Sequence, residues 1–216
     1  MSAVLDEILP AEIELALAHT PRLYRRSLRI FFELDVRLGR IVAGTSETML
    51  GQMRLAWWRE TLNKPVSERP GGDVVLDAVG GEFAGREASL IPLIDGWEHL
   101  LAEPPLAQAD AFAFAEGRAK ALVGVFGEAG TGIGHIEAKS WALADLACNV
   151  SLEEEREMLT TLGLQLGTAD KRLPSAMKGL AVLSALSLRS LKKGGRPLME
   201  GRGASLTAIR AAFFGR

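Results

Sequence analysis

Two aspartates, Asp35 and Asp145, stand among apolar neighbours in stretches with helical periodicity, and they have the strongest claim to chemistry in this chain. Wound at about 100° per residue, Asp35 projects between Phe31, Val42 and Leu28, on or beside an apolar face. Asp145 falls close to one line with Ala138, Trp141, Cys148 and Leu152. An ionised carboxylate in such a place needs a partner to offset its desolvation. Arg54 is the partner expected for Asp35; the other reading sets Asp35 at an edge that solvent reaches. Arg54 precedes Trp58 by four residues, so its guanidinium lies over that indole, reaches a buried carboxylate, or snorkels outward. The remaining reactive groups point elsewhere. His19, His99 and His135 lack metal-ligand spacing and read as surface or helix-end residues. Cys148 sits on an apolar stripe with nothing nearby to lower its pKa, and reads as core. The four glycines between Gly127 and Gly134 follow no strand and precede no Gly-Lys-Ser/Thr, so they read as a flexible connector, not a phosphate loop.

The elements that must position these groups read as helices punctuated by glycine and proline, with no useful period-two segment, and the fold class expected is all-α. Pro10 to His19 forms a short first helix, and Pro21 ends it or opens the next. From Leu23 to about Ala43, Ile30, Leu34, Leu38 and Ile41 line one side with Leu23, Tyr24, Phe31 and Val42. Arg25, Arg26, Arg29, Glu33, Arg37 and Arg40 take the other. Ser46 to Asn63 is a capped helix with Met49, Leu50, Met53, Ala56 and Trp57 on one broad face and Leu55, Trp58 and Leu62 on another, which predicts packing on two sides. Lys64 to Gly72 reads as the least ordered connection. Asp73 to Val79 forms a short helix closed by Gly80 and Gly81. Further helices are expected over Glu87–Leu101, Ala107–Phe126, His135–Asn149, from the Ser151-Leu152-Glu153-Glu154 cap to about Leu166, over Pro174–Leu191, and over Ser205–Phe214. Glu116, Arg118 and Lys120 read as charged breaks in an alanine-rich helix. Trp57, Trp58, Trp97 and Trp141 are expected on inward faces, filling the bundle.

With 216 residues, 48% of them hydrophobic and 24% charged, the chain has the size of one domain with a sizeable core. A net charge of −2 and a pI near 6.0 provide no basic field for nucleic acid. One cysteine excludes an intrachain disulfide and any multi-cysteine metal site, which fits a reducing cytoplasm. No signal-peptide pattern and no run of eighteen apolar residues is present, so the protein is expected to be cytoplasmic, at most peripheral on the inner membrane.

The stretch Arg54-Leu55-Ala56-Trp57-Trp58-Arg59-Glu60-Thr61-Leu62 resembles the RLxWWRxxL helix of the squalene and phytoene synthase family. Phe31-Phe32-Glu33-Leu34-Asp35, Leu93-Ile94-Asp95-Gly96-Trp97-Glu98 and Ser140-Trp141-Ala142-Leu143-Ala144-Asp145-Leu146 fall in the order of that family's corresponding helices. The likeness extends over most of residues 1–216. It implies a single-domain helical bundle of the isoprenoid-synthase type around a central cavity. In active members, two aspartate-rich helices face each other across the cavity and bind Mg²⁺, which neutralises the diphosphate leaving group of an allylic substrate.

This chain departs from that pattern. Aligned on Phe31-Phe32, the first aspartate pair falls on Arg37 or Leu38 and on Ile41. Aligned on Trp141-Ala142-Leu143, the second falls on Asn149 and Glu153, so one carboxylate of four remains. The chain is also shortened, with Gly167 to Leu173 where a longer helical segment belongs. The resemblance therefore implies a non-catalytic or catalytically altered member, like the degenerate branch that includes the mitochondrial complex I assembly factors. It implies no catalytic residue, no metal ligand and no cofactor, and a hydrophobic or isoprenoid ligand or a protein partner. Asp35, Arg54, Trp58, Asp145 and Glu153 are its candidate cavity residues. The alternative is an active prenyl-diphosphate-condensing transferase of carotenoid or hopanoid synthesis. It would use Mg²⁺ or the Arg25/Arg26/Arg29 cluster with Asp35, Asp145 and Glu153. A third reading sets the basic helix face and Lys192-Lys193 against anionic headgroups at a membrane surface.

Overall fold

Prolines and a threonine set the first two helices. Pro10 and Pro21 stand at the N-caps of α1 (Ala11–His19) and α2 (Arg22–Ala43), where a missing N–H costs nothing. Thr20 Oγ donates to the Ala16 carbonyl at 2.8 Å and closes α1. The computed structural model describes residues 8–167, 172–201 and 203–214. Eight more helices follow in order: α3 (Thr48–Asn63), α4 (Val74–Glu82), α5 (Ile91–Glu98), α6 (Gln108–Gly124), α7 (His135–Asn149), α8 (Glu153–Gln165), α9 (Lys178–Leu191) and α10 (Gly203–Phe214). Short 3-10 turns extend α5 at both ends and precede α9, and no strand occurs among the described residues. The chain is thus an all-α bundle. Of the Gly167–Leu173 segment, residues 168–171 lie outside the described residues. No helix among the described residues is long and apolar enough to cross a membrane.

One core runs through the bundle, with Phe31, Phe32, Phe83, Phe114 and Trp141 as its largest fully buried side chains. Phe32 meets Trp141 edge-on at 5.5 Å, which joins α2 to α7. α5 and α6 cross where two glycines face each other. A Cβ on Gly117 would lie 2.3 Å from the Pro92 carbonyl oxygen and 2.8 Å from Gly96 Cα, so only bare backbone fits. Gly39 similarly leaves room on α2 for the Trp97 ring, which a Cβ there would meet at 2.9 Å.

Several expectations need correction. α3 is packed on one side only. Leu55, Trp58 and Leu62 are buried, but Met49 is 72% exposed, Met53 63% and Trp57 43%. α2, α5 and the turn around Leu101 cover one face, and no other described helix packs on the opposite one. Trp57 is therefore not an inward-facing residue. On α2, Leu23 is 77% exposed beside the helix start, whereas Glu33, expected on the solvent side, is fully buried with Arg29 at 3.6 Å. The helix expected to end at Gly80 runs through both glycines to Glu82, with Asp73 as its cap accepting the Val75 and Leu76 N–H groups. The connection expected to be least ordered is pinned. Arg69, inside it, donates to the Leu62 and Lys64 carbonyls and to Glu87 at 2.9 Å. At α8 the cap position is Leu152, with no side-chain cap bond, so the expected Ser151 cap is not made.

A cavity closed by an internal cation

The double-tryptophan helix acts as a strut. Leu55, Trp58 and Leu62 are its core side, and Arg59 ties it to α5 through Asp95 at 2.8 Å and Glu98 at 2.5 Å. The hydrogen bond to Glu98 outweighs burial and raises the Arg59 pKa. α5, which also packs on α2 and α6, carries Trp97.

Between α2, α5, α6 and α7 lies a cavity of about 510 Å³, within the usual range for small-molecule sites. Phe32, Asp35, Phe114, Arg118 and Trp141 form its buried floor. Val36, Gly39, Leu100, Leu106 and Leu146 supply apolar walls. Ala43, Ala102, Pro104 and Asn149 are exposed rim residues, so the cavity opens to solvent between the end of α2, the connection after α5 and the end of α7.

Arg118 occupies the middle of the floor. Its Nε donates to Asp35 Oδ1 at 3.0 Å and its Nη2 to Asp35 Oδ2 at 2.5 Å, a bidentate clamp. Nη1 donates to Asp145 Oδ2 at 2.8 Å. The guanidinium lies 4.0 Å from the Trp141 ring centroid, 5.0 Å from Phe114 and 5.4 Å from Trp97. Trp97 Nε1 donates to Asp35 Oδ1 at 2.8 Å, a contact made from the ring that rests on Gly39, one turn beyond Asp35. Trp141 contributes its ring face, and its own indole N–H has no protein partner.

The electrostatics follow from burial. Arg118 and Asp35 side chains are 3% and 5% exposed, and Asp145 is 25% exposed. Burial pushes the Asp35 carboxyl above its ordinary value, the Arg118 charge and hydrogen bonds pull it down, and the Asp145 charge adds to the rise. Burial alone would lower Arg118, but the charges of Asp35 and Asp145 outweigh it and hold its pKa above the ordinary value. Arg118 is therefore a permanent cation with two carboxylates facing it from opposite helices.

The residues singled out from the sequence separate here. Asp35 and Asp145 both line the cavity and share Arg118. The pairing of Asp35 with Arg54 is not made. Arg54 is exposed, 3.2 Å from Thr45 Oγ, on the uncovered side of α3. Trp58 is buried beneath α3, edge-on to Trp57, and is not part of the lining. Glu153 is also outside it, exposed and paired with Arg156 on its own helix. Its neighbour Glu155 takes the cavity position and accepts the Leu106 N–H at 2.7 Å. The Arg25/Arg26/Arg29 cluster is spent outside the cavity, on the Thr20 carbonyl, on Glu82, and on Glu14 and Glu33 respectively. Cys148 accompanies Asp145 on α7 and donates to the Ala144 carbonyl at 3.1 Å. Burial pushes its thiol up to about 11.

Sequence reasoning missed Arg118. The buried residues of α6 and its extension include Ala111, Phe114, Ala115, Ala121, Leu122 and Val125, and Arg118 falls on the stripe these form at helical spacing, with Gly117, Ala119 and Val123 buried beside it. The argument applied to Asp35 would have found it.

A magnesium cluster of the kind that active members of that family use does not fit these residues. The two facing carboxylates already hold a guanidinium between them, and among the described residues no three His, Cys, Asp or Glu side chains converge as metal ligands. No family model, no curated protein and no solved structure matches the chain.

Proposed function

We propose that this chain is a catalytically altered relative of the squalene and phytoene synthase family, with an isoprenoid-synthase type bundle, and that it works by binding an apolar molecule in the cavity between α2, α5, α6 and α7. The observation that carries the reading is Arg118. In the enzymes it resembles, divalent cations stand between carboxylates on facing helices; here the carboxylates that face each other across the cavity, Asp35 and Asp145, lie off the aligned metal positions and hold a side chain of the protein's own. The cavity above that cation is apolar on most of its walls and has a solvent-facing rim, which suits an isoprenoid or lipid tail. The arginines that would have to replace the metal charge are engaged away from the cavity, which counts against the transferase alternative.

The exposed side of α3, with Met49, Leu50, Met53 and Trp57, supports contact with an apolar partner. On this reading the protein collects or delivers its ligand at the surface of the inner membrane or of a protein under assembly. The test is pyrophosphate release from farnesyl and geranylgeranyl diphosphates, with and without Mg²⁺. No release from folded protein is expected. Magnesium-dependent release with a condensed hydrocarbon product would restore the transferase reading.

A further inference from the structure

We infer that the cavity selects its ligand by headgroup charge, taking an amphiphile with a single cationic head, a protonated amine, in preference to an anionic one. This rests on the binding reading above and assigns the chemical class of the ligand.

The charges that line the cavity are Asp35, Asp145 and Glu155 against Arg118 and Arg40, a formal sum of −1. Arg118 is not available to a ligand anion. Its Nε, Nη1 and Nη2 all donate to Asp35 and Asp145, and Trp141, Phe114 and Trp97 surround its guanidinium. Asp35 is in turn saturated by the bidentate clamp and by Trp97 Nε1. Asp145 differs. Arg118 holds its Oδ2, its side chain is a quarter exposed, and it lies on α7 between Trp141 in the floor and Asn149 at the rim. An incoming head passing the rim therefore meets Asp145, a carboxylate with reach to spare, and the lining cation outside the floor, Arg40, is outnumbered there by Asp145 and Glu155. An ammonium there donates to Asp145 and balances the charge that Arg118 leaves over, while its tail lies against Val36, Leu100 and Leu146. A phosphate or diphosphate head would be placed against Asp145 and Glu155 in a site of low dielectric, where like charges are most costly.

The probes are decylamine, decanol and decyl phosphate, equal in tail and different in head, titrated into the full chain at neutral pH by calorimetry below their aggregation concentrations. Decylamine is expected to bind roughly tenfold or more tightly than decyl phosphate, with decanol between them. In Asp145→Asn the ratio is expected to collapse toward unity, whereas Glu153→Gln, exposed and outside the lining, keeps it. Binding of decyl phosphate as tight as that of decylamine by the wild type, where no question of folding arises, overturns the headgroup assignment alone. Binding of none of the three overturns the cavity reading beneath it.

Discussion

Replacing Arg118 by Met keeps much of the length and packing of the side chain but removes the cation. Asp35, with a side chain 5% exposed, would then keep only the Trp97 N–H as a partner and would face Asp145 without an intervening charge. Breaking a buried pair from one side costs about 3–5 kcal/mol, against about 5–15 kcal/mol for the whole stability of an ordinary domain. The loss should depend on pH with a definite sign. The Asp35 carboxyl already stands above its ordinary 3.8 in the folded protein because burial raises it, and loss of the Arg118 charge and hydrogen bonds raises it further. A group with a raised folded-state pKa favours the folded state fully below its unfolded value and loses that contribution as pH rises through the folded value. The deficit of Arg118→Met relative to wild type should thus be largest at neutral pH and narrow as pH falls toward 4. Urea unfolding at a series of pH values reads both quantities. A double-mutant cycle with Asp35→Asn should give a coupling of about 2–3 kcal/mol. Additivity within about 0.5 kcal/mol, or a deficit that does not change with pH, would refute the reasoning.

Other consequences are open to direct measurement. Gly117→Ala should lower stability by about 1–3 kcal/mol despite the better helix propensity of alanine, because its Cβ meets the Pro92 carbonyl at 2.3 Å; an unchanged urea midpoint would contradict the close crossing of α5 and α6. Arg69→Ala leaves Glu87 buried without its cation and should cost about 3 kcal/mol while opening residues 64–72 to limited proteolysis. Cys148, with its thiol at about 11 against an ordinary 9.0, holds about a hundredfold less thiolate at pH 8 than an unfolded cysteine, so alkylation by iodoacetamide should be slower in the folded protein by at least that factor. Met53→Lys on the uncovered side of α3 should change stability by no more than about 0.5 kcal/mol, whereas a helix packed on both sides would lose several.

Periodicity made much of the fold legible. The bounds of α7 follow from the sequence as they stand in the structure, and Asp35 and Asp145 stand out because a carboxylate on an apolar stripe must find a partner. What periodicity leaves open is which helix supplies that partner. Arg54 and Arg118 are both arginines on largely apolar helices, but α6 packs on α5 through the Gly96–Gly117 crossing and on α7, from where Arg118 reaches both Asp35 and Asp145, whereas Arg54 faces the turn at Thr45. Glu116, Arg118 and Lys120 read alike as charged breaks in an alanine-rich helix, but only Arg118 turns inward, while Lys120 pairs with Glu116 on the outside at 3.5 Å. The same limit explains α3. Two apolar faces can be read from the order of its residues, but whether a second layer exists to cover Met49 and Met53 depends on distant parts of the chain. Glu33 falls the other way, since its place on the charged face of α2 gives no hint that it is fully buried with Arg29 beside it.

The central claim is that the space above Arg118 holds an apolar ligand. Calorimetric titration of farnesol into the wild type and into Val36→Trp, which fills the wall of that space from α2, tests it most directly. Saturable binding by the wild type and its loss in a variant of unchanged helicity is the result expected. Equal affinity in both proteins, or no saturable binding by either, would contradict it.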